Sequence, residues 1–280
     1  MLRFAFVNVL SPAELFLLSF GIFAAGLCIG SYLNVCIWRI PRGESTVSPG
    51  SHCPKCGTPI RWFDNIPRLS YLALRGRCRR CAAPISPRYF LGELATGSLF
   101  LLLFAFRGFS PLLPFYWFFT AALVFAAGVD FDHFILPDRV TLGGMLAGPV
   151  LSAAFPFLHH EALWSRGLAA SAFGLAMGFG ILYLVSVAGR LALRRDAMGF
   201  GDVKLLGAVG ACLGWQAVLF TVFFASLSGT LAGLALVAFG GKKLASRIPF
   251  GPHLAAAAIL WMMAGERIVS WYLGLFAGGF

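Results

Sequence analysis

The chain has 280 residues, of which 59% are hydrophobic and only 12% are charged. Soluble domains carry about 25% charged residues, so this composition excludes an ordinary aqueous enzyme of this length. It also excludes disordered, collagen-like and secreted disulfide-rich proteins. The composition therefore predicts a protein that lies in a membrane.

Eight apolar segments are candidate transmembrane helices. A helix needs about 20 mostly apolar residues to cross a bilayer, and the sixth segment is shorter than that. The first segment is expected to be a retained anchor, because no small-residue cleavage site follows it. We find no internal repeat, and we predict an all-α polytopic membrane protein with about eight transmembrane helices. The segments are residues 12–37, 89–106, 111–130, 140–158, 167–189, 203–215, 217–239 and 253–277.

The basic residues give the expected orientation. With the N-terminus outside, eighteen of the 22 Lys and Arg residues fall on the inner side, ten of them between residues 39 and 88. Cytoplasmic loops carry this excess of positive charge. We therefore expect both termini to be periplasmic. The chain would divide into a first transmembrane helix (1–38), a cytoplasmic loop domain (39–90) and a seven-helix core (91–280).

Four cysteines in the loop form two knuckles, Cys53-Pro-Lys-Cys56 and Cys78-Arg-Arg-Cys81. Four thiolates complete a tetrahedral Zn²⁺ site with no open position, so this pattern predicts a structural zinc site. Two disulfides are the alternative, which a reducing cytoplasm disfavours. The arginines beside the second knuckle could indicate nucleic acid, but anionic lipid headgroups are the preferred interpretation and no nucleic acid is expected.

Two acidic residues fall at predicted membrane boundaries, and acids in such positions indicate function. Asp130 ends the third segment, and Asp202 begins the sixth within Gly199-Phe-Gly201-Asp202. Two carboxyls held close together share a proton, as in aspartic proteases. Gly199 and Gly201 would let a substrate strand approach. The alternative for Asp202 is that it only begins a helix, and the alternative for Asp138 is that it caps the fourth segment.

Several further motifs accompany these residues in a fixed order along the chain. Together with the two knuckles they resemble the type IV prepilin peptidase family, whose GxGD element also occurs in other intramembrane proteases. The resemblance runs nearly from end to end. The further motifs are Gly30-Ser-Tyr-Leu-Asn34-Val, Arg39-Ile-Pro41, Asp64-Asn-Ile-Pro67, Gly76-Arg-Cys78, Pro87-Arg-Tyr89 with Glu93, Leu136-Pro-Asp138, Gly201-Asp202-Val-Lys204 and Pro249-Phe-Gly-Pro252.

The resemblance implies an activity, a cofactor and partners. Asp130 and Asp202 correspond to the family's catalytic aspartates, which remove the basic leader of prepilins and type II secretion pseudopilins at the cytoplasmic face of the bacterial inner membrane. Many members then methylate the new N-terminus with S-adenosylmethionine. We expect Asp132, Asp138 and Lys204 to contact the substrate, with Glu44 as a further acid for the leader.

Three other functions remain open at this point. A proton-coupled transporter would use Asp130 and Asp202 as a relay, although a transporter has no clear use for a closed zinc site. A non-enzymatic assembly factor would use the zinc loop to bind a partner. A peptidase without methylation lies within the same family.

Overall fold

The structure is a computed structural model, and it describes residues 11–65, 69–194, 198–240 and 248–277. These residues are mainly helical, with connecting segments of which 43–61 is the longest and with two isolated β-bridges, which confirms the predicted all-α class. The helices are α1 (Pro12–Arg39), α2 (Leu69–Ala73), α3 (Pro87–Arg107), α4 (Leu113–His133), α5 (Asp138–Ala154), α6 (Trp164–Leu193), α7 (Phe200–Leu213), α8 (Trp215–Gly240), α9 (Gly251–Leu260) and α10 (Glu266–Ala277), with a π-helical turn (Trp261–Gly265) between the last two.

Six helices within the described ranges are long and apolar enough to cross a membrane. The predicted fourth and sixth segments correspond to α5 and α7, which have only 17 and 14 residues. At 1.5 Å per residue, α7 is about 21 Å long, shorter than the hydrocarbon core of about 30 Å. The count of eight spans therefore stays a prediction. Six basic residues used to predict the orientation lie outside the described residues: Arg3, Arg68, Arg195, Lys242, Lys243 and Arg247.

The chain divides into two compact units, Met1–Phe125 and Ala126–Phe280. In the first unit α1 packs closely on α3, because small residues face each other. A Cβ atom at Gly26 would lie 2.8 Å from the Cα of Gly97, and one at Gly30 would lie 2.9 Å from the Cα of Glu93. The start of α1 is fixed by a capping box, in which Ser11 and Glu14 bind each other's backbone N–H groups.

In the second unit α7 is the central helix, and ten of its fourteen residues are buried. Its neighbour α6 presents Gly174 and Gly178, four residues apart, to its backbone. A Cβ atom at either glycine would lie 2.2 Å from a carbonyl oxygen of α7, that of Gly210 or that of Leu206. Small residues at this spacing let membrane helices approach backbone to backbone. The site described below depends on this packing, because α7 carries Asp202.

We predict that Gly174→Ala destabilises the protein. The added methyl group overlaps the carbonyl of Gly210, and overpacking of this kind costs about 1–3 kcal/mol. Gly180→Ala is the matched control on the same helix, because a Cβ atom there meets nothing within 4 Å. Unfolding in mixed detergent micelles should show a loss of stability for Gly174→Ala alone. Equal stability of the two variants would contradict this packing.

Candidate active site and metal centre

Asp130 lies in the last turn of α4 and is only 6% exposed. Its carboxylate Oδ2 accepts a hydrogen bond of 2.9 Å from the backbone N–H of Gly251, the first residue of α9. A Cβ atom at residue 251 would lie 2.7 Å from that same oxygen. Only glycine therefore allows this approach, and the N-terminus of α9 gives the buried carboxylate a partner.

Asp202 lies in the first turn of α7 and is 8% exposed. Its carboxylate lies beside Gly199, the N-cap residue, where a Cβ atom would lie 3.3 Å from Oδ2 of Asp202. An acidic side chain in the first turn of a helix is favoured by the dipole of the helix N-terminus. The alternative that Asp202 only begins a helix stays a prediction, because α7 begins at Phe200 and the carboxylate of Asp202 is buried within its first turn.

The two carboxylates lie close enough for the charge of Asp130 to act on Asp202. Leu136, which is 7% exposed, packs against the starts of both helices. A Cβ atom at Gly201 would lie 2.9 Å from the Cβ of Leu136, and one at Gly251 would lie 3.0 Å from its Cδ2. Leu136 thus holds the N-termini of α7 and α9 around the acid pair. Two buried carboxyls in this arrangement can share one proton and act as general base and general acid.

Leu136 and Gly251 lie within the motifs named above, but the sequence predicted no role for either residue. Their roles depend on contacts between residues far apart in the chain, and the spacing of residues within a motif does not predict such contacts. The one local sign of this contact would be that residue 251 accepts only glycine, and a single sequence does not show which substitutions a position accepts.

The three tentative substrate residues lie outside the buried pair. Asp132 and Asp138 are exposed, whereas Lys204 is partly buried and forms an ion pair with Asp138. The ammonium of Lys204 also lies 5.6 Å from the centre of the Phe200 ring. Asp138 is the first residue of α5, with Pro137 as the N-cap, so the alternative that Asp138 itself caps this helix is wrong. Their role in substrate binding stays a prediction.

The four cysteines of the two knuckles come together, and their sulfur atoms all lie within 4.8 Å of one another. The Sγ atoms of Cys53 and Cys81 are 3.8 Å apart. A tetrahedral zinc site with Zn–S bonds of 2.3 Å has sulfur–sulfur edges of about 3.8 Å, so the spacing fits that ion. All seven cysteines are free thiols, so the disulfide alternative does not describe this structure.

The two knuckles are copies of one local structure. In the first knuckle, the backbone N–H of Cys53 donates to the carbonyl of Thr58, and that of Gly57 donates to the carbonyl of Cys53. In the second knuckle, the N–H of Cys78 donates to the carbonyl of Ala83, and that of Ala82 donates to the carbonyl of Cys78. The residue after each second cysteine has a positive φ, +67° at Gly57 and +54° at Ala82. The sequence does contain a short repeat, Cys-x-x-Cys-x-x-Pro-Ile, so the finding of no internal repeat was wrong.

Local hydrogen bonds prepare the knuckles for a cation. Those from the hydroxyl and the backbone N–H of Thr58 lower the pKa of Cys56 to about 6, and backbone N–H groups of Cys81 and Arg80 lower the pKa of Cys78. Metals bind the thiolate, so these two shifts favour binding, whereas burial and hydrogen bonds with the other three thiols raise the pKa of Cys81 to about 11. Between the knuckles, the carboxylate of Asp64 accepts two strong bonds from Arg79, at 2.6 and 2.8 Å. This pair fixes the connecting segment to the second knuckle.

We predict that the purified chain contains about one Zn²⁺, held by four thiolates. Cys53→Ser and Cys81→Ser should each lower the metal content strongly, because each removes one of the four sulfur ligands. Cys28→Ser, which changes a thiol on α1 outside the cluster, should leave it unchanged. Elemental analysis of the purified variants measures this directly. A metal content that is unaffected by the loop substitutions would contradict the assignment.

Comparison with known proteins identifies the family. The chain matches the profile described as Bacterial Peptidase A24 N-terminal domain over residues 24–106, and that of the Type IV leader peptidase family over residues 117–234. A relative from Aeromonas hydrophila is 34% identical over 278 residues, which cover 90% of this chain and 92% of that protein. The chain belongs to the type IV leader peptidase family.

Other relatives in this family carry the same name, prepilin leader peptidase/N-methyltransferase. One from Pseudomonas aeruginosa is 33% identical over 276 residues, covering 90% of this chain and 92% of that protein. One from Myxococcus xanthus is 41% identical over 221 residues, covering 79% of this chain but only 64% of the longer relative. No solved structure matches the chain significantly. The resemblance seen in the sequence is thereby confirmed.

Proposed function

We propose that this protein removes the leader peptide from type IV prepilins and type II secretion pseudopilins and then methylates the new N-terminus with S-adenosylmethionine. The observation that carries the proposal is the pair of buried carboxylates, Asp130 and Asp202, in a member of the leader peptidase family. The names of the relatives support both reactions.

In the proposed mechanism the two carboxyls share one proton. The ionised carboxylate accepts a proton from water while the protonated carboxyl donates to the carbonyl oxygen of the scissile peptide bond. The resulting diol collapses when a proton passes to the leaving amine. The hydrogen bond from Gly251 to Asp130 supports this geometry by fixing one carboxylate. Gly199 is exposed beside Asp202 and leaves space for a substrate strand.

The proposed setting is the bacterial inner membrane, with eight membrane helices, periplasmic termini and the loop 39–90 in the cytoplasm. The charge distribution supports this orientation. In this setting the short helix α7 is surrounded mainly by other helices rather than by lipid, since ten of its fourteen residues are buried. The apolar helix of a prepilin would lie in the bilayer and its leader in the cytoplasm, so the scissile bond would reach the depth of the two acids. The remaining residues of 91–280 would form the protease core.

The four cysteines are proposed to hold a structural Zn²⁺. A closed site of four thiolates offers no position for substrate, and a metal supplies the folding free energy that a small polar loop lacks. The zinc-stabilised loop would therefore shape the cytoplasmic face without taking part in peptide cleavage.

The test of the acid pair compares wild type with Asp130→Asn and Asp202→Asn. Each variant should slow leader cleavage by about 10³-fold or more, because an amide cannot exchange the proton. Mass spectrometry of a prepilin incubated with membranes reports both the lost leader and any added methyl group. Glu161→Gln, which alters an acid remote from the pair in sequence, serves as the control. Cleavage that survives both Asn substitutions would remove the aspartates from the chemistry.

We also predict that Gly251→Ala lowers the cleavage rate by about 10- to 100-fold, a usual cost of displacing a catalytic group by about 1 Å. The new Cβ atom would lie 2.7 Å from Oδ2 of Asp130. Gly229→Ala is the control, because its Cβ atom would make only ordinary contacts of 3.7 Å. The single-turnover rate at saturating substrate measures the effect. Equal rates for the two variants would show that the contact of Gly251 with Asp130 is dispensable.

Asp132 and Asp138 are proposed to receive the basic leader, with Lys204 orienting Asp138 through their ion pair. The double variant Asp132→Asn/Asp138→Asn should raise KM about threefold with little change in kcat, since exposed charge pairs are weak. The effect should disappear for a prepilin whose leader has neutral residues in place of Lys and Arg. An unchanged KM for the basic leader would exclude these residues from leader binding.

A further inference from the structure

A cavity of about 360 Å³ lies in the first unit, between one face of α1 and the segment that follows it. We propose that this cavity binds the methyl donor, S-adenosylmethionine, an inference that rests on the proposed methylation. Its volume falls in the range of small-molecule sites, about 300–1,000 Å³. The cavity is lined by polar, aromatic and apolar side chains, among them Cys28, Tyr32, Val35, Arg39, Thr46 and Ser51.

Arg39 places a buried, charged side chain in the wall of this cavity. It lies in the last turn of α1 and is only 8% exposed. Its guanidinium donates to the carbonyl oxygens of Ser45, Pro49 and Gly50, at 2.9, 2.8 and 3.3 Å. Arginine has five N–H donors, so two remain after these bonds within the described part of the chain. Arg39 therefore fixes the wall of the cavity and also lines it, and a guanidinium in that position favours an anionic group such as a carboxylate.

The wall formed by residues 45–51 is fixed at both ends. Arg39 holds its first part, as described above, and the first cysteine knuckle holds its end. The N–H of Ile60, just beyond that knuckle, donates to the carbonyl of Ser51 at 2.8 Å. Ser51 lies two residues before Cys53, the first cysteine of the knuckle. This hydrogen bond joins the cavity wall to the first knuckle, so a metal ion held by the four cysteines would stabilise the wall as well as the knuckle.

The opposite wall is one face of α1, because residues 28, 32, 35 and 39 recur at helical spacing. Tyr32 is 52% exposed, and its hydroxyl donates to the hydroxyl of Thr46 at 3.3 Å. An open aromatic ring attracts a cation such as a sulfonium and also stacks on a flat base. Hydroxyls from Thr46 and Ser51 suit the ribose and amino-acid groups of the donor. Val35 supplies apolar surface between them.

The transfer step needs the new N-terminal amine of the cleaved pilin in its neutral form. The nitrogen lone pair attacks the methyl carbon, and the carbon–sulfur bond breaks with its electron pair moving to sulfur. The products are the methylated amine, which loses a proton to water, and S-adenosylhomocysteine. An N-terminal amine has a pKa of about 8, so a useful neutral fraction exists at neutral pH without a strong base.

The test fills the cavity with Val35→Trp. Binding of labelled S-adenosylmethionine to the full-length protein in nanodiscs should weaken by about tenfold or more, equal to about 1.4 kcal/mol. Prepilin methylation should fall with it, while the rate of leader cleavage stays that of wild type. Ile29→Trp is the matched control on the same helix, because Ile29 is exposed and does not line the cavity. It should change neither binding nor methylation.

Three results would overturn the inference. Val35→Trp could bind and methylate like wild type, or it could lose cleavage together with methylation, which would make the cavity a general structural element. It could also leave donor binding intact while native mass spectrometry shows loss of a retained anionic lipid, which would assign the cavity to a headgroup. A wild-type protein that neither cleaves nor methylates prepilin would contradict the proposed function instead.

Discussion

Backbone contact between α7 and its neighbours α5 and α6 fixes the position of Asp202, and the candidate active site depends on that contact. Four glycines of the neighbouring helices approach α7 closely: Gly174 and Gly178 on α6, and Gly144 and Gly148 on α5. The buried hydroxyl of Ser171 donates to the carbonyl of Ala211 at 2.7 Å. In a bilayer, close packing and hydrogen bonds of this kind replace the hydrophobic effect as the force between helices. A helix too short to cross the hydrocarbon core is thereby held inside a helical bundle.

Burial of two carboxylates is costly unless each has partners, and the fold supplies them from helix ends. Asp202 lies in the first turn of α7, and Asp130 accepts a bond from the first residue of α9. Both acids are therefore near helix N-termini, where the backbone dipoles favour negative charge. Leu136 packs against both helix starts and keeps them close. Helix N-termini beside two buried acids favour negative charge at this place, which is what the proposed chemistry requires.

Much of this could be predicted from the sequence, because the signals were local. Apolar length predicted the helices, and the spacing of Cys53, Cys56, Cys78 and Cys81 predicted a cluster that the structure brings together. The contact between Gly251 and Asp130 could not be predicted, since 121 residues separate them. The burial of α7 was also missed, because small residues mark close packing only when the partner helix is known. The repeated knuckle was present in the sequence and was overlooked.

The pH dependence of single-turnover leader cleavage tests the shared proton most directly. One carboxyl must be ionised and the other protonated, so the account predicts a bell-shaped rate profile, with the rate falling on both the acid and the alkaline side. Detergent-solubilised or membrane-embedded wild-type protein with a saturating prepilin would serve, provided that the fold is checked across the pH range. A profile with only one limb, or one unchanged when Asp130 or Asp202 is replaced by Asn, would contradict the account.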